Sequence, residues 1–349
     1  MNNLQFLSKQ FEINSESIAI IDNGKYFSYQ LLENKIKSWE KVFVTPPEGK
    51  VIAVKSDFSI NSVSLLLFLI SKNAIIVPIA VDSKNTIERI QISEAELFID
   101  FTVDFPNIQD TGIISSHKLV SEVKQKKHPG IIIFSSGTTG IPKAAIHDFS
   151  LLLERYSKPG KAYRSIIFLM FDHWGGINTL LHILSKGGTA CFMNSREPEA
   201  VCECIQKHKI DLLPSTPTFL NLILLSKAYE TFNLSSLKII TYGTEPMPET
   251  TLKALNHALP NVKLKQTYGL TELGVMQTTS KSNDSLWLKI GGEGYEYKII
   301  DNILFLRTKS SILGYLNAES PFDSEGWYNT GDMVEVDGNG LDFWAEIVI

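Results

Sequence analysis

VIAVKSDFSINSVSLLLFLISKNAIIVPIAV, residues 51–81, decides the fold class. Its first run, VIAVKS, and its last, AIIVPIAV, are short and rich in Ile and Val. That composition suits strands buried on both faces of a sheet. Ser62 to Ser71 between them is an apolar run long enough for a helix. Such a connection brings the second strand back parallel to the first. The implied class is α/β, with parallel-type sheets flanked by helices.

The same rhythm extends in both directions. Upstream, residues 17–29 read as two strands around an Asn23-Gly24 turn, with Ser28 placed to cap the helix that follows. Downstream, ELFIDFTV (96–103) and GIISS (112–116) continue the sheet. GIIIFSSGTTGIPKAAIHDFS (130–150) reads as strand, Gly/Ser/Thr loop and strand. RSIIFLMF, a helix NTLLHILSKGG with a Gly stop, TACFM, a helix around EAVCECIQKHK, and DLLPSTP repeat the pattern. LKIITYG and VKLKQTYG are strands that both end in Tyr-Gly. Beyond about residue 285, short alternating strands with Gly, Asp and Asn turns suggest a small β-barrel-like piece. The expected organisation is a first α/β subdomain (1–165), a second (166–284) and a β-barrel-like subdomain (285–345).

Composition narrows the function classes. A chain of 349 residues with 44% hydrophobic and 20% charged residues folds into packed subdomains. A net charge of -5 argues against a broad nucleic-acid surface. The tightest basic cluster, Lys124, Lys126 and Lys127, reads as a solvated loop. Cys191, Cys202 and Cys204 make neither a disulfide framework nor a zinc motif and are expected as buried or partly exposed thiols in a reducing compartment. No signal peptide and no membrane-spanning stretch are legible, so a cytoplasmic protein is the default expectation.

Three segments carry chemistry. SSGTTGIPK (135–143) offers two glycines, several hydroxyls and a lysine, a combination that can surround phosphate oxygens; a plain Ser/Gly surface loop is the competing reading. It is not a Walker loop. In TYGLTE (267–272), Tyr268 can lie against a purine, Thr271 can touch a phosphate and Glu272 can hold Mg²⁺; the bland alternative is a strand-to-helix turn capped by Thr. In WYNTGDMVEVDGNG (327–340), Asp332 follows a glycine and can take both ribose hydroxyls, whereas the ordinary reading is a hairpin with an Asx turn.

In this order, the segments resemble the signatures of the adenylate-forming superfamily: acyl- and aryl-CoA ligases, luciferases and peptide-synthetase adenylation domains. The resemblance runs from about residue 15 to 344 and also takes in TYGTEP (241–246) and ILGYLN (312–317). It implies the large N-terminal domain of such an enzyme. Ser135, Ser136, Gly137, Thr138, Thr139, Gly140 and Lys143 would handle the pyrophosphate. Gly243, Thr244 and Glu245 would flank adenine, with Tyr268 stacked on it. Thr271 would contact the α-phosphate, Glu272 the Mg²⁺ and Asp332 the ribose. The implied reaction is ATP-dependent activation of a small carboxylic acid to an acyl-adenylate. The acyl group then passes to the thiol of coenzyme A or of a carrier-protein phosphopantetheine.

The acid pocket is expected near FDHWGGINT (171–179). Amino-acid-activating relatives carry Phe-Asp-x-Ser here; this chain has Trp174 in place of the Ser. His173, Gly176, Asn178 and Gly187 instead match the spacing of the acyl- and aryl-CoA ligases, which favours a non-amino acid. His173 would sit by the reacting carboxylate or close the acyl tunnel, unless it is a helix-start His satisfied by backbone. Asp172 would read a hydroxyl or amine on the substrate, or cap the following helix. Trp174 would wall the pocket or pack in the core. Phe219, Gly269 and Met276 are further pocket candidates.

Two departures stand out. The segment between YGLTE and YNTGD is short for the family. Ala345-Glu346 stands where a Gly-Arg pair and a hinge normally lead to a C-terminal domain, so residues 346–349 read as the start of an absent hinge. The expectation is a chain that binds nucleotide and acid but adenylates weakly. The alternatives are a non-catalytic module for ATP or acyl-adenylate, an amino-acid adenylation domain, and a serine acyl-enzyme hydrolase. SxxK occurs at Ser38, Ser121 and Ser235, but no KTG or GxSxG accompanies it.

Overall fold

The computed structural model describes residues 2–102, 106–135, 141–292, 294–337 and 344–348. The chain divides into two compact units. One comprises Met1–Ala162, Met170–Phe192 and Ser310–Ser320; the other comprises Tyr163–Leu169, Met193–Lys309 and Pro321–Ile349.

In the first unit the opening stretch folds as its pattern dictates. Val51–Lys55 and Ile75–Ile79 are parallel neighbours, joined through the helix Ile60–Ser71. Leu97–Asp100 adds in parallel on one side and Gly130–Ser135 on the other. Outside the parallel centre, Asn107–Asp110, Lys143–Asp148 and Gly314–Tyr315 each pair antiparallel to their inner neighbour, completing seven strands. The sheet is therefore mixed, with a parallel centre. GIISS is not a strand. The polar Asn107–Asp110 takes the place beside Leu97–Asp100, because an edge strand needs backbone partners more than apolar side chains. Val51, Ile75, Val77, Ile132 and Ile146 form the core with Val120 and Val123 from the helix Lys118–Lys126.

Ile18–Asp22 and Lys25–Ser28 form the expected hairpin, with Asn23 and Gly24 both at positive φ (48° and 79°), as a tight two-residue turn requires. Ser28 Oγ accepts from Leu31 N–H at 3.2 Å and caps the helix Tyr29–Ser38. Thr189–Phe192 pairs in parallel with Ile18–Asp22. Lys124 and Lys126 end a helix rather than occupy a loop. Lys124 and Lys50 bracket Glu96 at 3.1 and 2.8 Å; against the cost of its burial, Lys50, the Val51 N–H and Lys124 hold its carboxyl below the usual range.

In the second unit Arg164–Ile166, Leu212–Ser215, Ile239–Tyr242 and Lys263–Gln266 run parallel. Pro198–His208, Pro217–Ser226 and Glu249–Ala258 are its principal helices. A six-stranded antiparallel sheet follows, in the order Gln277–Ser280, Leu288–Gly291, Trp344–Val348, Tyr328–Asp337, Ile303–Thr308, Tyr295–Ile300. The three cysteines are buried and form no disulfide, and burial pushes the Cys202 thiol up to about 12. Among the described residues no helix is long and apolar enough to cross a membrane.

Candidate active site

The residues singled out from sequence divide between the two units. In the first, Gly130–Ser135 and Lys143–Asp148 pair as a hairpin whose last rung sets Ser135 opposite Lys143. Register thus brings the hydroxyl and the ammonium to the same end of the ladder. Ser136, Gly137, Thr138, Thr139 and Gly140 lie outside the described residues. Lys143 Nζ stands 5.3 Å from the centre of the Tyr315 ring, a cation–π contact. The ILGYLN segment pins the returning strand: Asn317 Oδ1 accepts from Ala144 N–H at 2.9 Å, and Asn317 Nδ2 donates to Pro142 O at 2.9 Å.

The FDHWGG segment leads into the helix Trp174–Ser185. The cap falls to His173, not Asp172: His173 Nδ1 accepts from Gly175 N–H at 3.0 Å. With Nδ1 so engaged, the neutral ring carries its proton on Nε2. Surrounding protein lowers the His173 pKa, and the Asp172 carboxylate opposes that shift only in part. His173 as a whole is nevertheless exposed. Asp172 Oδ2 accepts from Arg89 Nη1 at 2.8 Å, with both side chains 18% exposed. Arg89 was not singled out from sequence. Its guanidinium also lies over Phe134, 5.2 Å from the ring centre, and its buried Nε finds no partner among the described residues. Trp174 is buried and stacked on His147 at 5.5 Å, a packing role. Gly176 N–H donates to His173 O at 3.0 Å in the first helical turn. Asn178 Oδ1 accepts from Tyr156 O–H at 2.9 Å.

In the second unit the two Tyr-Gly strand ends lie side by side, with Tyr242 in register with Gln266. Thr267 donates to Tyr242 O from both N–H (2.7 Å) and Oγ1 (3.0 Å). A side chain at Gly243 would meet Thr267 Oγ1 at 2.5 Å, so this approach admits glycine alone. Thr244 follows in the left-handed region at φ 73°, an uncommon place for a β-branched residue. Glu245 Oε1 accepts from Thr218 N–H at 2.7 Å, in the first turn of Pro217–Ser226. That helix carries Phe219, which is buried with its ring centre 4.4 Å from that of Phe168.

TYGLTE does not open a helix. Gly269–Leu270 and Gly274–Val275 pair as a small hairpin, and Thr271 and Glu272 sit at its turn. A side chain at Gly269 would come 2.9 Å from Val275 Cα. Glu272 is only 6% exposed, an unusual position for a carboxylate. Tyr268 and Met276 belong to an apolar cluster with Leu273, Leu288, Leu304 and Leu306. The Tyr268 hydroxyl donates to Asp332 Oδ2. Asp332 lies inside the strand Tyr328–Asp337 rather than at a hairpin tip. The ladder pairs Phe305 with Asn329 but Ile303 with Met333, so residues 330–332 make a bulge there, and Gly331 takes φ 75°.

The model for the AMP-binding enzyme family matches residues 61–302, more than half of the chain. The protein belongs to the AMP-binding enzyme family. Among curated members it is 28% identical over 242 residues to acyl-CoA synthetase 7 of Caenorhabditis elegans, covering 60% of this chain and 45% of that protein. It is 26% identical over 247 residues to 4-coumarate-CoA ligase 1 of Narcissus pseudonarcissus, again 60% of this chain and 45% of the other. The chain thus matches less than half the length of these relatives. The o-succinylbenzoate CoA synthetase of Bacillus subtilis shares the fold at 16% identity, with a TM-score of 0.76 over 98% of this chain and 77% of that one. The fold is that of the large N-terminal domain of adenylate-forming enzymes, α/β with mixed sheets flanked by helices.

Proposed function

We propose that this family member activates a carboxylic acid without an α-ammonium group. One carboxylate oxygen attacks the α-phosphorus of ATP, the bond from that phosphorus to the bridging oxygen breaks, and pyrophosphate leaves with the electron pair. The acyl group then passes to a thiol, that of coenzyme A or a carrier-protein phosphopantetheine: the carbon–sulfur bond forms, the bond from the acyl carbon to the phosphate oxygen breaks, AMP leaves with the electron pair and the thiol proton is released. The observation that carries the reading is the Ser135–Lys143 rung. It brings a hydroxyl and an ammonium to the same end of one ladder, a setting for a polyphosphate.

The other residues have supporting parts. Gly243 and Thr244 turn the chain tightly beside Tyr268, where adenine would lie, and Asp332 would take the ribose. Thr271 and Glu272 are neighbouring oxygen donors, the chemistry Mg²⁺ prefers, and the ion would neutralise charge on the phosphates. His173, neutral with its proton on Nε2, can donate to the acid's carboxylate. Little covalent work falls to these side chains; their contribution is placement and fixed charge. The non-amino preference rests on Asp172. Its carboxylate is already matched by Arg89, so a substrate ammonium would have to displace a guanidinium.

A thermal-shift series with acyl-sulfamoyl-adenosines tests this reading. A ligand at a hundredfold excess over its dissociation constant stabilises by about 2.7 kcal/mol. Stabilisation by an acyl or aryl mimic, greater than by an aminoacyl mimic and lost in Asp332→Ala, is the expected result. No shift with any adenosine mimic in a folded sample would overturn it.

A further inference from the structure

We infer that Tyr268 is a positioning residue for Asp332, and that the phenol–carboxylate pair, rather than the carboxylate alone, sets recognition of the ribose hydroxyls. The inference rests on the nucleotide reading above and assigns one more part of that site.

Three observations carry it. The first is burial. Tyr268 is 8% exposed and packed among Leu273, Met276, Leu288 and Leu304, so its ring has little freedom and its hydroxyl a fixed position. The second is direction. The buried hydroxyl donates to Asp332 Oδ2, across 64 residues of sequence. Burial, with the Asp332 carboxylate beside it, raises the Tyr268 pKa, so the phenol keeps the proton it donates. The third is the bulge. Asp332 stands on an irregular rung whose shape is held locally: Gly331 N–H donates to Asn329 Oδ1 at 2.9 Å, Asp332 N–H to Thr330 Oγ1 at 3.0 Å, and Thr330 Oγ1 to Leu304 O at 2.8 Å. A bulge bends its strand locally, and this one keeps Asp332 on the covered side of the strand with Thr330 and Val334. Here it aims a carboxylate at a phenol that cannot move. One oxygen is thereby tied down, and the other is held ready for a pair of vicinal hydroxyls.

Stacking and positioning make different predictions. If Tyr268 serves only as a face for adenine, Phe replaces it without changing how the protein reads ribose. If it orients Asp332, Phe keeps the ring and loses the reading.

The test is calorimetric titration of the full chain with AMP and with 2′,3′-dideoxy-AMP. The wild type is expected to prefer AMP by about tenfold or more, the range of hydrogen bonds to a charged group. Tyr268→Phe should bring the two ligands within about threefold of each other while leaving the dideoxy affinity unchanged. Asp332→Asn should do the same, and adding Tyr268→Phe to it should change nothing further, because paired residues are non-additive. An AMP preference that survives Tyr268→Phe, or equal weakening of both ligands, overturns the inference while leaving nucleotide binding intact. No binding of either ligand by the folded wild type overturns the nucleotide reading and the inference together.

Discussion

The parallel-centred sheet of the first unit and the antiparallel sheet of the second bury their residues in opposite styles. In the first unit every residue of Ile75–Ile79 is buried, as are the first four of Val51–Lys55. In the second unit Tyr328–Asp337 alternates between exposed and partly covered positions, with Val334 its one buried residue. The difference follows from connection. Parallel neighbours are joined by crossings that cover both faces, whereas antiparallel neighbours turn straight back and can leave one face wet. The first style tolerates little change anywhere along a strand. The second leaves positions free, and there the chain can place a bulge and a carboxylate.

The sharpest way to break that comparison is a pair of truncations. Ile76→Ala should cost about 3 kcal/mol in denaturant unfolding, the range for an aliphatic residue removed from a packed core. Met333→Ala, at a position 49% exposed in the antiparallel sheet, should stay within about 0.5 kcal/mol. Equal costs would mean that the second sheet is covered on both faces.

A smaller effect is expected at the ion pair of the first unit. Arg89→Met leaves Asp172 half-buried and alone, which should cost about 2 kcal/mol, less than the 3–5 kcal/mol of a fully buried pair because both groups retain some water. Adding Asp172→Asn should recover much of the loss, by the logic of a double-mutant cycle.

Smaller still is the pH response of His173. Its pKa is lowered in the folded chain, so the unfolded chain binds the proton more readily. Stability should be full above pH ~6.5, the ordinary histidine value, and decline as pH falls through that value towards the folded one. Protonation also removes the Nδ1 acceptor that caps the helix. Unfolding of His173→Asn, which keeps a capping group, should lack this decline; a parallel decline in both proteins would place the titrating group elsewhere. The smallest effect belongs to the exposed Glu296–Arg307 pair of the antiparallel sheet. Glu296→Gln should leave the unfolding midpoint unchanged at physiological salt.

Much of this contrast was legible beforehand. Runs such as VIAVKS and AIIVPIAV announce burial on both faces, and Ser28 and Asn23-Gly24 announce a cap and a turn through chemistry local to a few residues. The failures are equally physical. Asn107–Asp110 pairs through its backbone, which no side chain reports, while GIISS is apolar enough to imitate a strand. The cap at His173 and the partner of Asp172 depend on which of two adjacent side chains faces Arg89, 83 residues away in sequence. The bulge under Asp332 required knowing the opposite strand. Pairings among the candidate site residues could not be read from their identities.

The Ser135–Lys143 rung has a last consequence, for how this chain can vary. Side chains alternate along the strand, so a slip of one residue would turn the whole of Lys143–Asp148 over, exchanging Ala144 and Ile146 with Ala145 and His147, which are buried on the other face. An insertion between 135 and 143 spares the ladder only if it leaves this register unchanged. The constraint on that segment therefore comes from the pairing at its two ends, and a homologue or library that keeps the rung can vary what lies between while the ladder stands still.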